Sequence, residues 1–270
     1  TNIVGNVITL SVNNSGAVSG TYTFGTNVFW TASDFRPNLA FKYGRPFSRY
    51  DIEVRGHWGN NGLFVPGFSR VTLGTASGAN PVQNLAGSST TTFFDLRISN
   101  NNHVYAQNNF IVTDTMFLTN GRLKLNNWLG TITNPSPAAI TRTNGFLQSD
   151  QDVIANNVGP YGRLQWNIGA TVGAYVLPFV NAAGSSIFLD YNTTTGTHNP
   201  IFATHGTAPS NLSTPAAITN INAYFGGLDN SANMVDRYYM IDNTAGSGGP
   251  AADITFRYAL SERAANGNTA

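Results

Sequence analysis

Cysteine is absent from the 270 residues, which excludes a disulfide framework, a thiolate nucleophile and cysteine-based zinc binding. Charge is also scarce, because charged residues make up 10% of the chain and the formal net charge is +1. Such a chain has no broad electrostatic field to attract nucleic acid or an anionic membrane. We therefore expect no nucleic-acid partner and a surface of Asn, Thr, Ser and Gly, as is common in extracellular proteins.

Long apolar runs and catalytic motifs are missing as well. No apolar stretch approaches the roughly 20 residues that a membrane-spanning helix needs, so no membrane insertion is expected. The chain has no glycine-rich phosphate loop, no His-Glu-x-x-His motif and no nucleophile elbow. Because Glu53 and Glu262 are the only glutamates, a paired-carboxylate hydrolase would depend on aspartates. The sequence predicts a protein that is not an enzyme and needs no cofactor.

Strand-sized apolar segments separated by Asn and Gly are what the chain has in abundance. Hydrophobic residues make up 41% of it, enough to fill a real core. In the first half the segments recur about every ten residues, each followed by a turn, which is typical of stacked β-layers. They are Leu63-Phe64-Val65, Val71-Thr72-Leu73, 93–98, Phe110-Ile111-Val112, Met116-Phe117-Leu118, Leu123-Lys124-Leu125 and Thr131-Ile132. Their Asn-rich turns favour a β-solenoid in which stacked asparagine amides form ladders.

Pro135-Ser136-Pro137 is the predicted internal boundary, because longer loops follow it. We expect an all-β fold in which a short β-solenoid of stacked rungs is followed by an antiparallel β-sandwich. The predicted regions are an N-terminal strand in 1–20, a solenoid-like region in 21–134 and a sandwich-like region in 138–270.

The N-terminal segment predicts an assembly strand. Val4, Ile8, Leu10 and Val12 share one face of it. Such a strand could complete the sheet of a neighbouring copy, as in donor-strand complementation, which predicts a homopolymer. The alternative is that it pairs within its own chain.

A basic and aromatic stretch between Asp34 and Arg55 is the best candidate for a ligand patch. Aromatic rings stack on sugar faces and guanidinium groups bind anions, so this patch could bind a glycan or a phosphate. Its candidate residues are Arg36, Tyr43, Arg45, Arg49 and Tyr50. The alternative is that the arginines pair with Asp34, Asp51 and Glu53 and cover apolar surface.

Exposed aromatic side chains offer a second route to glycan binding. The candidates are Trp30, Tyr43, Trp58 and Trp128. In the structural alternative the same side chains belong to the core, as large aromatics usually do. A carbohydrate-binding module is therefore the second functional hypothesis.

Three sets of polar residues have the types that bind metals or transfer protons. They are Asp150 and Asp152 with Asp190; His198 and His205 with Asp190; and Asp229 and Asn230 beside Asp242 and Asn243. Solvated acids and turn-forming residues account for the same patterns. The sequence therefore predicts neither catalytic nor metal-binding residues.

Several segments together resemble the repetitive β-region of large secreted surface proteins of Bacteroidota. The resemblance begins at Trp58-Gly59-Asn60-Asn61-Gly62 and a Pro66-Gly67 turn, and continues through 88–96 and 118–125. Later segments match the following module, and the matches run in the same order from about Arg55 to Glu262.

The resemblance implies export by the type IX secretion system and a role in surface adhesion, gliding or extracellular fibres. It implies no reaction. Asp114-Thr115-Met116 also resembles the short O-glycosylation motif of Bacteroidota, which makes Thr115 a candidate modification site. A C-terminal sorting domain is not recognisable, which leaves open its removal, a longer parent protein or another export route.

Overall fold

Short β-strands make up most of the chain that the computed structural model describes. The described residues are 21–24, 28–30, 50–62, 64, 66–74, 81–150, 161–206, 235, 237–243, 247–260 and 262. In 21–24, 28–30, 50, 247 and 248 the description is limited to the backbone.

Parallel strands coil into a β-solenoid of about four turns with three faces. The first face contains β1 (Thr21–Phe24), β3 (Tyr50–Val54), β5 (Ser69–Gly74), the first parts of β8 (Asp95–Ala106) and β10 (Met116–Lys124), and β12 (Ile140–Arg142). The second contains β2 (Val28–Trp30), β4 (Trp58–Asn60), β6 (Gln83–Ala86), the later parts of β8 and β10, β13 (Phe146–Gln148) and β16 (Phe179–Val180). The third contains β7 (Thr91–Phe93), β9 (Phe110–Val112), β11 (Leu129–Ile132) and β14 (Arg163–Trp166).

The solenoid core consists of columns of apolar side chains. Ile52, Val71, Leu96 and Met116 occupy one register position in successive rungs, and each is at most 1% exposed. Side chains alternate between the two faces of a strand, so the period of two in the sequence directs alternate residues inward. Burying each such side chain contributes about 1.5–3 kcal/mol.

Asparagine side chains join neighbouring rungs at the corners, but not mainly as the expected amide ladders. Their amide groups donate to backbone carbonyls of the preceding rung over 2.8–3.1 Å, from Asn108 to Gly87, from Asn126 to Ala106 and from Asn134 to Asp114. Amide-to-amide bonds join Asn100 to Gln83 and Asn120 to Asn101. Corners interrupt the strand ladders, and a backbone carbonyl there needs a donor that a nearby asparagine supplies.

Stacked rungs continue past the Pro135-Ser136-Pro137 segment that the sequence suggests as a boundary. A short 3-10 turn, Pro137–Ala139, follows Ser136, whose hydroxyl caps it by accepting from the Ala138 N–H. Beyond the turn, β12 and β13 pair in parallel with β10, and β14 pairs in parallel with β11. The parallel ladder therefore extends to β16.

Antiparallel strands complete the fold. The third solenoid face continues into β18 (Pro200–Gly206) and β19 (Arg237–Asn243). A separate sheet contains β15 (Gly173–Leu177), β17 (Leu189–Thr197) and β20 (Ser247–Phe256). The two sheets pack through ring contacts of Tyr191 with Phe202 and of Tyr239 with Phe256, at centroid distances of 5.2 and 4.9 Å. The predicted all-β class, a solenoid followed by antiparallel sheets, is confirmed.

Candidate functional site

Most residues of the two leading sequence predictions lie outside the described residues. They are Val4, Ile8, Leu10 and Val12 of the assembly strand, and Arg36, Tyr43, Arg45 and Arg49 of the ligand patch. Tyr50 is the first residue of β3. Two acids of this region bind arginines outside the candidate patch: Arg70 makes two bonds to Asp51 at 2.6 and 2.8 Å, and Arg55 contacts Glu53 at 3.1 Å. Both predictions stay predictions.

The structure does not bring His198, His205 and Asp190 together as a metal-binding group. His198 is 1% exposed, and its Nε2 lies 2.7 Å from the Thr195 carbonyl, which can only accept a hydrogen bond. Nδ1 shares a hydrogen bond with the Tyr191 hydroxyl, also at 2.7 Å, so both ring nitrogens are occupied. Asp190 binds Arg257 instead. In the described part of the chain, no three His, Cys, Asp or Glu residues form a possible metal site.

The residue sets with carboxylate and calcium-binding types do not assemble among the described residues either. Asp150 binds Arg237 while Asp190 binds Arg257, and Asp152 lies outside the described residues. Of the calcium set, Asp229 and Asn230 also lie outside them. Asp242 is exposed, and the side-chain oxygen of Asn243 accepts from the Asn199 N–H at 2.8 Å.

The aromatic and modification candidates have different environments. Trp58 is fully buried, and its indole N–H donates to the Thr91 hydroxyl at 3.2 Å, so it belongs to the core and cannot stack on a sugar. Trp128 is partly buried against the same core. Thr115 is half-buried in the corner between β9 and β10, and its N–H donates to the Asp95 carboxylate at 3.1 Å. O-glycosylation of Thr115 stays a prediction.

A buried ionic network joins the end of the solenoid to the antiparallel strands. Arg237 on β19 binds both carboxylate oxygens of Asp150 at 2.7 and 2.8 Å and also binds Glu262. The side chains of Arg237 and Asp150 are each 2% exposed. Thr204 accepts from Arg237, and Asn181 donates to Glu262, so further hydrogen bonds satisfy the buried charges.

The pKa values of Arg237 and Glu262 move in the direction that favours their charged forms. Burial alone would lower the pKa of Arg237, but hydrogen bonds and charges from Asp150 and Glu262 raise it above the ordinary value. Burial alone would raise the pKa of Glu262, but Arg237 lowers it. Since every group is paired, the network is a structural connection and has no free acid or base for catalysis.

His205 forms the centre of an aromatic row on the outer side of the β14–β18–β19 sheet. Its ring stacks on Tyr161 with centroids 4.6 Å apart and lies 5.2 Å from the ring of Tyr238. Nδ1 donates to the Gly206 carbonyl at 3.0 Å, so Nε2 is the unprotonated nitrogen of the neutral ring. Burial lowers the pKa of His205, and Arg237 lowers it further, whereas the Gly206 carbonyl and Asp150 raise it.

The lowered pKa of His205 predicts a loss of stability in mild acid. In the unfolded chain, His205 binds a proton below about pH 6.5, whereas in the folded chain it stays neutral to a lower pH. The free energy of unfolding therefore falls as pH falls through this range. We expect His205→Phe, which retains an aromatic ring between Tyr161 and Tyr238, to reduce this loss. The measurement is the free energy of unfolding in urea at about pH 7.5 and 5.5, above the range where Glu262 titrates. An equal loss of stability in the unmodified protein and in His205→Phe contradicts the assignment of this loss to His205.

The outer strand β20 presents the most apolar exposed surface of the described residues. Among them, β17 is the only strand that pairs with β20. Large exposed hydrophobic side chains follow one another along β20 and just after it: Ile254 (39% exposed), Phe256 (50%), Tyr258 (46%) and Leu260 (76%). An unpaired strand edge with exposed apolar side chains is a template for pairing with another strand. This edge is the candidate functional site.

A second surface combines arginines with aromatic rings. The guanidinium of Arg142 lies 4.2 Å from the ring centroid of Phe146 and 5.2 Å from that of Phe188. Arg257 lies 5.9 Å from the Phe188 centroid. Arg142 and Arg257 are exposed, and the two phenylalanines are half-buried. Such a surface can bind an anionic or sugar ligand by charge and stacking.

Comparisons with known proteins find no relative of this chain. No protein-family model matches the chain, and neither a curated protein nor a solved structure is detectably similar to it. In the described residues, no helix has the length and apolar character required to cross a membrane.

Proposed function

We propose that this chain is a non-catalytic structural protein of the cell exterior, either a subunit of a self-assembling filament or a segment of a surface adhesin. The observation that carries the proposal is the exposed edge of β20. Monomeric proteins commonly block such edges, because an open edge recruits a further strand. An edge that keeps Ile254 and Phe256 accessible is therefore suited to assembly.

The use of the polar side chains supports a structural role. Asparagines bond the backbone of neighbouring rungs, and Asp150, Arg237 and Glu262 pair with one another in the interior. Both ring nitrogens of His198 are occupied by structural hydrogen bonds. These groups stabilise a stack of rungs, and a solenoid of this kind is a stiff, quasi-one-dimensional element.

The proposed location and partners follow from the sequence. The low charge and the resemblance to the repetitive β-region of secreted Bacteroidota proteins support an extracellular or cell-surface location reached through type IX secretion. The proposed main partner is another copy of the chain, and glycans or other surface components are further candidates. We propose neither a nucleic-acid partner nor membrane insertion.

Electron microscopy of the purified full chain at physiological salt tests the assembly. We expect regular filaments with a subunit repeat and, in sedimentation velocity, species that grow with protein concentration. A chain that stays monomeric at every concentration contradicts self-assembly and leaves the adhesin segment or the glycan-binding alternative.

The alternative function is a carbohydrate-binding module of a surface protein, which the surface of Arg142, Phe146 and Phe188 favours. A glycan array distinguishes the two functions. Binding that Phe188→Ala abolishes and the distant substitution Phe68→Ala preserves would support the module. No binding at millimolar glycan contradicts it.

A further inference from the structure

The inward-facing side chains of β20 are only partly covered by their own sheet and by the sheet that faces it. Along one register row, Tyr175 and Tyr191 are at most 4% exposed, but Ile254, the next residue in the row, is 39% exposed. Phe256 contacts Tyr239 of the facing sheet and is still 50% exposed. One more strand beside β20 would bury both side chains and pair the open backbone edge.

We propose that β20 accepts residues 2–12 of a second copy as this additional strand, an inference that rests on the proposed self-assembly. Residues 2–12 carry no charge, and Val4, Ile8, Leu10 and Val12 would share one face of a strand. Their own structure lies outside the described residues. The proposal joins this apolar face to the row of Ile254 and Phe256.

The alternation of residues 8–12 is complementary to both faces of β20. The outer face of β20 presents Asp253 and Thr255, both exposed. Thr9 and Ser11 would lie on the other face of the incoming strand, where their hydroxyl groups suit a carboxylate and a threonine, whereas Ile3 and Val7 on that face lie closer to the N-terminus, outside the 8–12 portion. A charged edge residue such as Asp253 disfavours indiscriminate pairing, because an apolar side chain placed beside it would desolvate the carboxylate.

The backbone of β20 limits where the added strand can pair. Pro250 has no N–H to donate, and Gly249 has a φ of 65° that departs from strand geometry. Continuous pairing is therefore expected from Ala251 to Phe256. Tyr258 and Leu260 extend the apolar surface past the end of the strand, so the incoming segment can be longer than the paired portion.

Complementation between two full-length variants tests the proposal. The donor variant, Val4→Lys with Ile8→Lys, keeps β20 intact, and the acceptor variant, Ile254→Lys with Phe256→Lys, keeps residues 2–12 intact; the like charges prevent the two altered surfaces from pairing with each other. We expect each variant alone to be monomeric in sedimentation velocity at concentrations where the unmodified chain polymerises. Mixed in equal amounts, they should form a dimer and no larger species, because one functional donor and one functional acceptor remain.

A control on the opposite edge of the same sheet separates a specific effect at β20 from a general effect of added charge. The control variant, Val172→Lys with Val176→Lys, adds the same charge at β15, the opposite edge strand of the same sheet, and should polymerise normally. Circular dichroism checks that every variant is folded. Polymers of the acceptor variant, or a mixture that stays monomeric, overturn the pairing of residues 2–12 with β20 but not the proposed function. An unmodified chain that never polymerises overturns the proposed self-assembly itself.

Discussion

Arg237→Ala is expected to destabilise the fold by about 3–5 kcal/mol, because it leaves two buried carboxylates without their cation. Asp150 is as deeply buried as Arg237, and Glu262 is only 10% exposed in its side chain. Lysine should rescue little, since it lacks the planar fork that binds both oxygens of Asp150. The measurement is the free energy of unfolding in urea near neutral pH.

Arg257→Ala is the matched control for that prediction. Arg257 also binds an aspartate, Asp190, but 52% of its side chain is exposed. Water screens such a pair, and its removal should lower the free energy of unfolding by no more than about 1 kcal/mol. Equal effects of the two substitutions would mean that burial of the Arg237 network adds nothing to stability.

Gly121→Ala is expected to have a similarly large effect through the backbone. Gly121 lies in a corner of β10 with a φ of 72°, and an added Cβ would lie 1.7 Å from the carbonyl oxygen of Asn100 in the preceding rung. That oxygen belongs to backbone paired in the solenoid, so the rungs must separate to make room. We expect a loss above about 4 kcal/mol or failure to fold, measured by urea unfolding and circular dichroism.

Gly169→Ala separates the strain of the backbone angle from the contact between rungs. Gly169 has a similar φ of 64°, but an added Cβ would meet nothing within 4 Å. Its replacement should therefore lower the free energy of unfolding by about 1–2 kcal/mol, the usual penalty of a left-handed conformation for alanine. If Gly121→Ala is no worse than Gly169→Ala, close approach of the rungs is not what requires glycine at position 121.

The buried network shows which part of a site is invisible in a sequence. Asp150 is followed two residues later by Asp152, a local pattern that suggests paired acids. Its actual partner, Arg237, is 87 residues away, and no periodic signal connects the two. The same holds for His198, whose spacing from His205 suggested a metal site although Tyr191 and Thr195 occupy its nitrogens.

Sequence alone determined the β-class of this protein and the inward positions of its rungs, because side-chain alternation is a local property that the chain carries in its own order. Val71 and Leu73, for example, alternate in the sequence and both lie in the core. Only the tertiary structure decided where the parallel coil gives way to antiparallel pairing, which charges meet in the interior and which edge strand of the described residues exposes apolar side chains. Those outcomes depend on contacts between residues far apart in the chain, where packing and desolvation select partners that local patterns do not specify.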